Sequence, residues 1–213
     1  MDASLKSIPL GRDTVLSIFE EILSIDTEDN ITYEILAIKD IREQDEYGGY
    51  QINILGTLEN ITINMFVEIS SGDVITPKEI EFNYKCIFTD KTIPIFAYTI
   101  ETIIAEKFET FIIRSIDNTR LKDYYDLYLL ISDNFDKINR DTLQKAIKNT
   151  FTKRGTSLDT DFVTQHFEAI KSHATMQELW SKYVDKNKFV RDVKYNNIME
   201  AIEEIINLCP FEN

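Results

Sequence analysis

The spacing of apolar residues changes near Tyr98, and this change constrains the fold more than any other feature of the sequence. Before Tyr98, β-branched residues alternate with polar ones, as they do in half-buried strands. After it, apolar residues recur with the spacing of amphipathic helices up to the end of the chain. The sequence therefore predicts an α+β fold, in which a mixed sheet with helices (1–98) is followed by a C-terminal helical bundle (99–213).

The same periodicities predict the individual elements. Alternation is clearest from Ile61 to Ser70, where Ile61, Ile63 and Met65 face one side of the strand. The predicted strands are 31–38, 50–58, 61–70 and 93–97. The predicted helices are 13–25, 99–115, 119–131, 140–152, 159–171, 176–184 and 195–208.

Composition and charge restrict the classes of function. The chain has 213 residues and 43% hydrophobic residues, which is ordinary for a folded protein and argues against disorder. Its net charge of −14 does not favour strong non-specific binding of nucleic acid. No apolar run is long enough for a transmembrane helix, so no membrane association is expected. Cys86 and Cys209 lack any CxxC spacing and are interpreted as reduced thiols of a cytoplasmic protein.

Two cations interrupt the apolar face of the helix predicted over 99–115. At about 100° per residue, Lys107 falls inside this face and Arg114 falls beside Lys107. Glu106 and Glu109 occupy the opposite, polar face. The apolar face consists of Ile100, Ile103, Ile104, Phe108, Phe111 and Ile112. An unpaired buried ammonium is costly, so Lys107 either extends to solvent along its alkyl stem or meets a carboxylate or a phosphate.

Several carboxylates could take part in chemistry, and each also has a purely structural interpretation. Asp123 suits the start of the predicted helix 119–131, and Asp126 can pair with Lys122 one turn before it. Glu68 lies on the polar face of a strand, where most carboxylates are simply solvated. Asp2 lies at a chain terminus, where the backbone often frays.

Two segments together resemble a known family. Ala105-Glu106-Lys107, Arg114 and Arg120-Leu121-Lys122-Asp123-Tyr124-Tyr125-Asp126-Leu127 are similar to the AEKxxxxxxR and RxKDxxDL signature of the AbiEii/AbiGii toxins. That family is a branch of the polymerase β-like nucleotidyltransferase superfamily. The resemblance implies a toxin–antitoxin or abortive-infection protein that acts in phage defence, with a cognate antitoxin as partner.

The resemblance also implies an activity and a set of site residues. The implied reaction transfers a nucleotide from an NTP to an acceptor such as tRNA or a protein, with Mg²⁺ as cofactor. Lys107 would contact the nucleotide phosphates and Asp123 would be the essential late acidic residue. The residues implied as their supports are Arg114, Asp126 and Lys122. Asp2 and Glu68 would bind the metal.

An inactive protein is the alternative. In the family, a GG[ST] motif and the first carboxylate of a DxD motif precede the position that Asp2 would occupy, so the resemblance places both ahead of Met1. An N-terminally truncated chain would then be a catalytically inactive remnant, retained as a binding module or without activity. A third interpretation is a structural adaptor, in which Lys107 is simply buried against Asp123 as an ion pair.

Overall fold

A computed structural model describes residues 2–5, 10–27, 30–41, 48–87, 89–190, 193–209 and 211, and of Asp2 it describes the backbone. The chain divides into two compact units, Met1–Asp73 and Val74–Asn213. This division falls before the change in residue pattern at Tyr98, because the hairpin that precedes Tyr98 belongs to the second unit. The boundary between two domains predicted at 98/99 stays a prediction.

Over the part of the chain that the structure describes, the first unit is a mixed sheet with one helix. Its strands lie in the order β1-β4-β3-β2; β1 is parallel to β4, and the other neighbours are antiparallel. The elements are β1 (Asp2–Leu5), α1 (Arg12–Leu23), β2 (Thr32–Ile41), β3 (Gly49–Leu58) and β4 (Ile61–Ser71).

The core of this unit lies between α1 and one face of the sheet. Val15 and Phe19 of α1 share a buried cluster with Ile52, Ile54 and Ile69 of β3 and β4. The apolar alternation predicted for β4 is thus buried only at its C-terminal end. Ile61 and Ile63, at the other end, are each 60% exposed.

One glycine allows β3 to approach β4 closely. A Cβ atom at Gly49 would lie 2.6 Å from the carbonyl oxygen of Ile69, which is too close for any other residue without a backbone shift. Gly49 is the register partner of Ser70, and two positions further Gln51 is the partner of Glu68. The glycine therefore helps to set the register in which Glu68 is held.

In the described residues of the second unit, a hairpin comes first and six α-helices follow. The strands β5 (Ile80–Lys85) and β6 (Thr92–Ala97) pair with each other in an antiparallel ladder. The helices are α2 (Ile100–Arg114), α3 (Leu121–Ser132), α4 (Arg140–Arg154), α5 (Thr160–Ser172), α6 (Ala174–Lys186) and α7 (Tyr195–Leu208). Short 3-10 turns occupy Ser115–Asp117, Phe135–Lys137 and Lys188–Val190.

Side-chain caps fix where several of these helices begin and end. Thr99, Asn139 and Asp159 accept hydrogen bonds from the backbone N–H three residues later, at the starts of α2, α4 and α5. Gly155 ends α4 in the left-handed conformation, with φ of 69°. The apolar faces of the six helices form one continuous core, in which α2 packs against α3, α4 and α5. The predicted α+β class, a mixed sheet followed by a helical bundle, is confirmed.

Candidate functional site

Lys107 lies between two carboxylates that α3 supplies. Its Nζ donates hydrogen bonds of 2.8 Å to Oδ1 of Asp123 and of 2.8 Å to Oδ2 of Asp126. Lys122 Nζ donates a third bond, of 2.7 Å, to the same Oδ2 of Asp126. The structure therefore unites four of the predicted site residues in one group, called the lysine–aspartate cluster below: Lys107, Lys122, Asp123 and Asp126.

The start of α3 positions these carboxylates. The Oδ1 atom of Asn118, whose side chain is buried, accepts a hydrogen bond of 3.0 Å from the backbone N–H of Arg120 just before the helix. Asp123 then lies in the first turn, where a negative charge is favoured by the helix dipole. Asp126 follows three residues later on the same side of α3, so both carboxylates face α2. The helix begins at Leu121, two residues later than predicted, but Asp123 lies near its start as expected, and the predicted Lys122–Asp126 pair is confirmed.

The cluster keeps its charges because its hydrogen bonds outweigh the effect of burial. Burial lowers the pKa of Lys107, but the bonds to Asp123 and Asp126 more than compensate, so the pKa lies above its ordinary value. Burial raises the pKa of Asp126, whereas the bonds from Lys107 and Lys122 bring this pKa below its ordinary value. At neutral pH the cluster thus holds an ammonium in a fixed position, and its side chains remain 20–24% exposed except that of Lys122, which is 72% exposed.

Arg114 does not join this cluster, and its predicted place on the buried face is wrong. Its side chain is exposed at the last residue of α2, and it makes no ion pair with any residue that the structure describes. The helix ends at Arg114, and the chain turns at Ser115 with a positive φ of 45°. A cation in the last turn is instead favoured by the helix dipole.

The prediction that Glu109 lies on a wet face is also wrong. Its side chain is only 5% exposed and accepts a bond of 2.7 Å from Arg154 Nη1 and one of 2.6 Å from Thr156 Oγ1. Glu101 is buried as well, and its carboxylate accepts the backbone N–H of Asn139 at 2.9 Å. Both carboxylates face α4 and its flanking residues, so α2 is covered on the side that helical periodicity alone marks as polar.

The two predicted metal ligands lie in the first unit. The backbone places Asp2 of β1 in register with Glu68 of β4. Glu68 is half-buried, and its Oε1 accepts a hydrogen bond of 3.1 Å from Gln51 Nε2 on the neighbouring strand. Glu68 is therefore held in place rather than freely solvated. Among the residues whose side chains are described, no group of three or more His, Cys, Asp or Glu side chains could hold a metal ion.

Comparison with known proteins identifies the family. Residues 1–206 match the model of the nucleotidyl transferase AbiEii toxin family, described as a type IV toxin–antitoxin system. The chain belongs to this family. The resemblance that the Lys107 and Asp123 segments carry is thereby confirmed, and the expected toxin–antitoxin relationship follows at the level of the family.

Other comparisons add less. A crystal structure of a candidate nucleotidyltransferase from H. pylori is 16% identical, with a TM-score of 0.34, and the match covers 83% of this chain. This chain spans 66% of the length of that protein, or just under two thirds. Comparison with curated proteins finds no match. None of the helices in the described part of the chain has the length and apolar character needed to cross a membrane.

Sequence reasoning missed two further groups of residues. The first is the buried group of Glu109, Arg154 and Thr156, which links positions too distant in sequence for any local pattern. The second is the pair of Tyr125 and Phe189. Phe189 is 64% exposed, and its ring contacts that of Tyr125 of α3. The sequence signal was a phenylalanine directly after the polar stretch Lys186-Asn187-Lys188, between two predicted helices.

Proposed function

We propose that this protein is a nucleotidyltransferase toxin that transfers a nucleotide from an NTP to an RNA or protein acceptor. The observation that carries the proposal is the lysine–aspartate cluster, which coincides with the signature segments of a family matched over residues 1–206. By the same family relationship, we propose an antitoxin as its cognate partner. In the transfer, an acceptor hydroxyl oxygen attacks the α-phosphorus, pyrophosphate leaves, and the hydroxyl proton passes to a carboxylate or to solvent.

Lys107 supplies the charge that this chemistry requires. Transfer from a triphosphate depends mainly on positioning and on cations held next to the phosphate oxygens. Lys107 is charged and partly exposed, and it is kept extended by Asp123 and Asp126, so an incoming phosphate can replace one carboxylate as its partner. Asp123 is proposed as the acidic residue of the site, and Asp126 with Lys122 as its support.

Asp2 and Glu68 are proposed to hold Mg²⁺. Neighbouring strands lie about 4.8 Å apart, and residues 2 and 68 are register partners. Magnesium sites of this kind use one or two carboxylates, with water and substrate phosphates as the remaining ligands, so the donor set fits. When bound, Mg²⁺ neutralises charge on the phosphate oxygens. Glu68 is oriented for this task by Gln51.

Labelling experiments test the proposal. Purified protein is incubated with Mg²⁺, each α-labelled NTP in turn, and either total tRNA or a cell extract. We expect label in the RNA or protein fraction, and a loss of at least about 100-fold in Lys107→Met and in Asp123→Asn, since each variant removes a preorganised charge. Lys145→Met, which replaces an exposed lysine of α4, is the control and should retain activity. Label that persists undiminished in Lys107→Met would contradict the proposal.

An inactive binding protein is the second candidate, because the cluster is already electrically balanced. Two ammonium groups meet two carboxylates, so Lys107 has no unmet need for an anion. For this function, no NTP labels any acceptor, and Lys107→Met changes stability alone. The labelling experiment therefore distinguishes the two candidates.

A further inference from the structure

Three aromatic side chains form a surface beside the lysine–aspartate cluster, which we name the aromatic ledge: Tyr125 of α3, Tyr183 of α6, and Phe189 of the 3-10 turn Lys188–Val190. Tyr125 Oη donates a hydrogen bond of 3.1 Å to the backbone oxygen of Phe189. The rings of these two residues lie 5.5 Å apart between centroids, inclined at 59°. The turn is thus attached to α3 by both a polar and an aromatic contact.

Phe189 is exposed although its backbone is firmly held. Its side chain is 64% exposed, whereas the next residue, Val190, is completely buried and anchors the turn in the core. On the other side, Asn187 Nδ2 donates a bond of 2.8 Å to the backbone oxygen of Tyr183. With both flanks fixed, the ring of Phe189 stays at the surface. A single exposed aromatic residue is common, so its surroundings decide what it can do.

The ledge adjoins the lysine–aspartate cluster. Tyr125 follows Lys122 by three residues and directly precedes Asp126, so it is a neighbour of Lys122 on the surface of α3. Tyr183 lies on α6, which packs against α3, and burial raises the pKa of its hydroxyl. An aromatic surface therefore lies next to the cluster whose Lys107 is proposed to meet phosphate.

We propose that the aromatic ledge stacks a nucleobase, with Phe189 as the principal contact. The inference rests on the proposed function, since it gives the nucleotide or the acceptor that meets Lys107 a place for its base. Aromatic rings bind bases of any sequence by stacking, and nearby cations hold the phosphates. Lys186 and Lys188 are exposed on the same short segment, which matches this combination of a ring and positive charge. The base belongs either to the NTP or to a single-stranded RNA acceptor.

Equilibrium binding distinguishes these sources without requiring turnover. Four ligands are titrated: ATP, ribose 5′-triphosphate, an RNA octamer ending in adenosine, and the same octamer with an abasic 3′ end. The variants are Phe189→Ala, Phe189→Leu, which stays apolar but cannot stack, and Phe189→Trp, which retains a stacking ring. Because the side chain is exposed, each variant should fold, and its melting temperature is compared with that of the unaltered protein.

We expect Phe189→Ala and Phe189→Leu to weaken binding of a base-containing ligand about 10-fold, and Phe189→Trp to restore it. Ribose 5′-triphosphate and the abasic octamer should bind all variants equally. If Phe189→Ala and Phe189→Leu bind ATP more weakly, the stacked base is that of the nucleotide. If they bind the adenosine-ended octamer more weakly, the base is that of the acceptor. Equal affinities of the unaltered protein, Phe189→Ala and Phe189→Leu for ATP and for the adenosine-ended octamer would overturn the inference.

Lys107→Met serves as the separate test of the proposed function in the same titrations. If Lys107 contacts phosphate, this variant weakens the binding of ATP and of ribose 5′-triphosphate to the same extent, whether or not the aromatic ledge stacks a base. Unchanged affinity of Lys107→Met for both ligands would count against the proposed function. The affinities of the Phe189 variants would still test the aromatic ledge.

Discussion

Helix α2 carries two charged clusters with opposite characters. Lys107 and Glu109 are two residues apart, so they project from α2 at about 200° to each other and meet different neighbours. Around Lys107, the two partner carboxylates retain 20% and 21% exposure of their side chains. Around Glu109, the carboxylate is 5% exposed and its partners come from the end of α4 and the residue that follows Gly155.

This difference separates a structural contact from a candidate functional one. Glu109 has both oxygens satisfied by Arg154 and Thr156, and little room is left for water or a ligand. Lys107 is held equally firmly, but its partners can be reached from solvent, so a phosphate could replace one of them. The comparison yields three predictions about stability, which follow from the largest effect to the smallest.

The buried cluster should contribute most to stability. Glu109→Ala removes the shared partner of Arg154 and Thr156 from a buried position, so the free energy of unfolding should fall by about 3 kcal/mol. Urea denaturation measures this, with Glu178→Ala on the exposed surface of α6 as the control, for which a change within about 0.5 kcal/mol is expected. A loss for Glu109→Ala no larger than for the control would show that the cluster is not structural.

The lysine–aspartate cluster should contribute less. We expect Lys107→Met to lower the free energy of unfolding by about 1–2 kcal/mol, because Asp123 loses its ammonium partner and Asp126 keeps only that of Lys122, while both carboxylates retain access to water. A double-mutant cycle with Asp123→Asn should give a coupling of about 1 kcal/mol. A coupling above about 3 kcal/mol would instead favour the adaptor interpretation, in which the ion pair is mainly structural.

Asp126 should make the smallest contribution to the free energy of unfolding, and acid should remove it. Its pKa in the folded protein lies below the ordinary 3.8, so its stabilising effect is present above pH 3.8 and is lost as the pH falls through the lowered value. The difference in unfolding free energy between the unaltered protein and Asp126→Asn should therefore be constant near neutral pH, at about 1 kcal/mol or less. Below pH 3.8 the difference should shrink. A difference that grows on acidification would contradict this assignment.

Local patterns predicted most of the helices but could not predict contacts between distant segments. Thr99, Asn139 and Asp159 mark helix starts through their own side chains, and α7 begins and ends where the sequence predicts, Tyr195–Leu208. Strand β5 was missed although Ile80, Phe82 and Tyr84 alternate with polar residues, as residues of a strand do.

The candidate site shows the same limit. Periodicity revealed that Lys107 needed a partner, and the family resemblance supplied Asp123, which the structure places 2.8 Å away. Neither approach could show that Glu109 is buried, since its partners Arg154 and Thr156 lie beyond α3, 45 and 47 residues further along the chain. The exposure of Phe189 likewise depends on Tyr125, a residue distant along the chain.

We infer that the lysine–aspartate cluster, and not the buried group around Glu109, is available to a triphosphate. Isothermal titration of ATP against the unaltered protein, Lys107→Met and Glu109→Gln tests it at a temperature where all three are folded. The account predicts that Lys107→Met weakens binding at least about 10-fold, the equivalent of about 1.4 kcal/mol, whereas Glu109→Gln binds like the unaltered protein. Unchanged binding by Lys107→Met, or equal weakening in both variants, would contradict it.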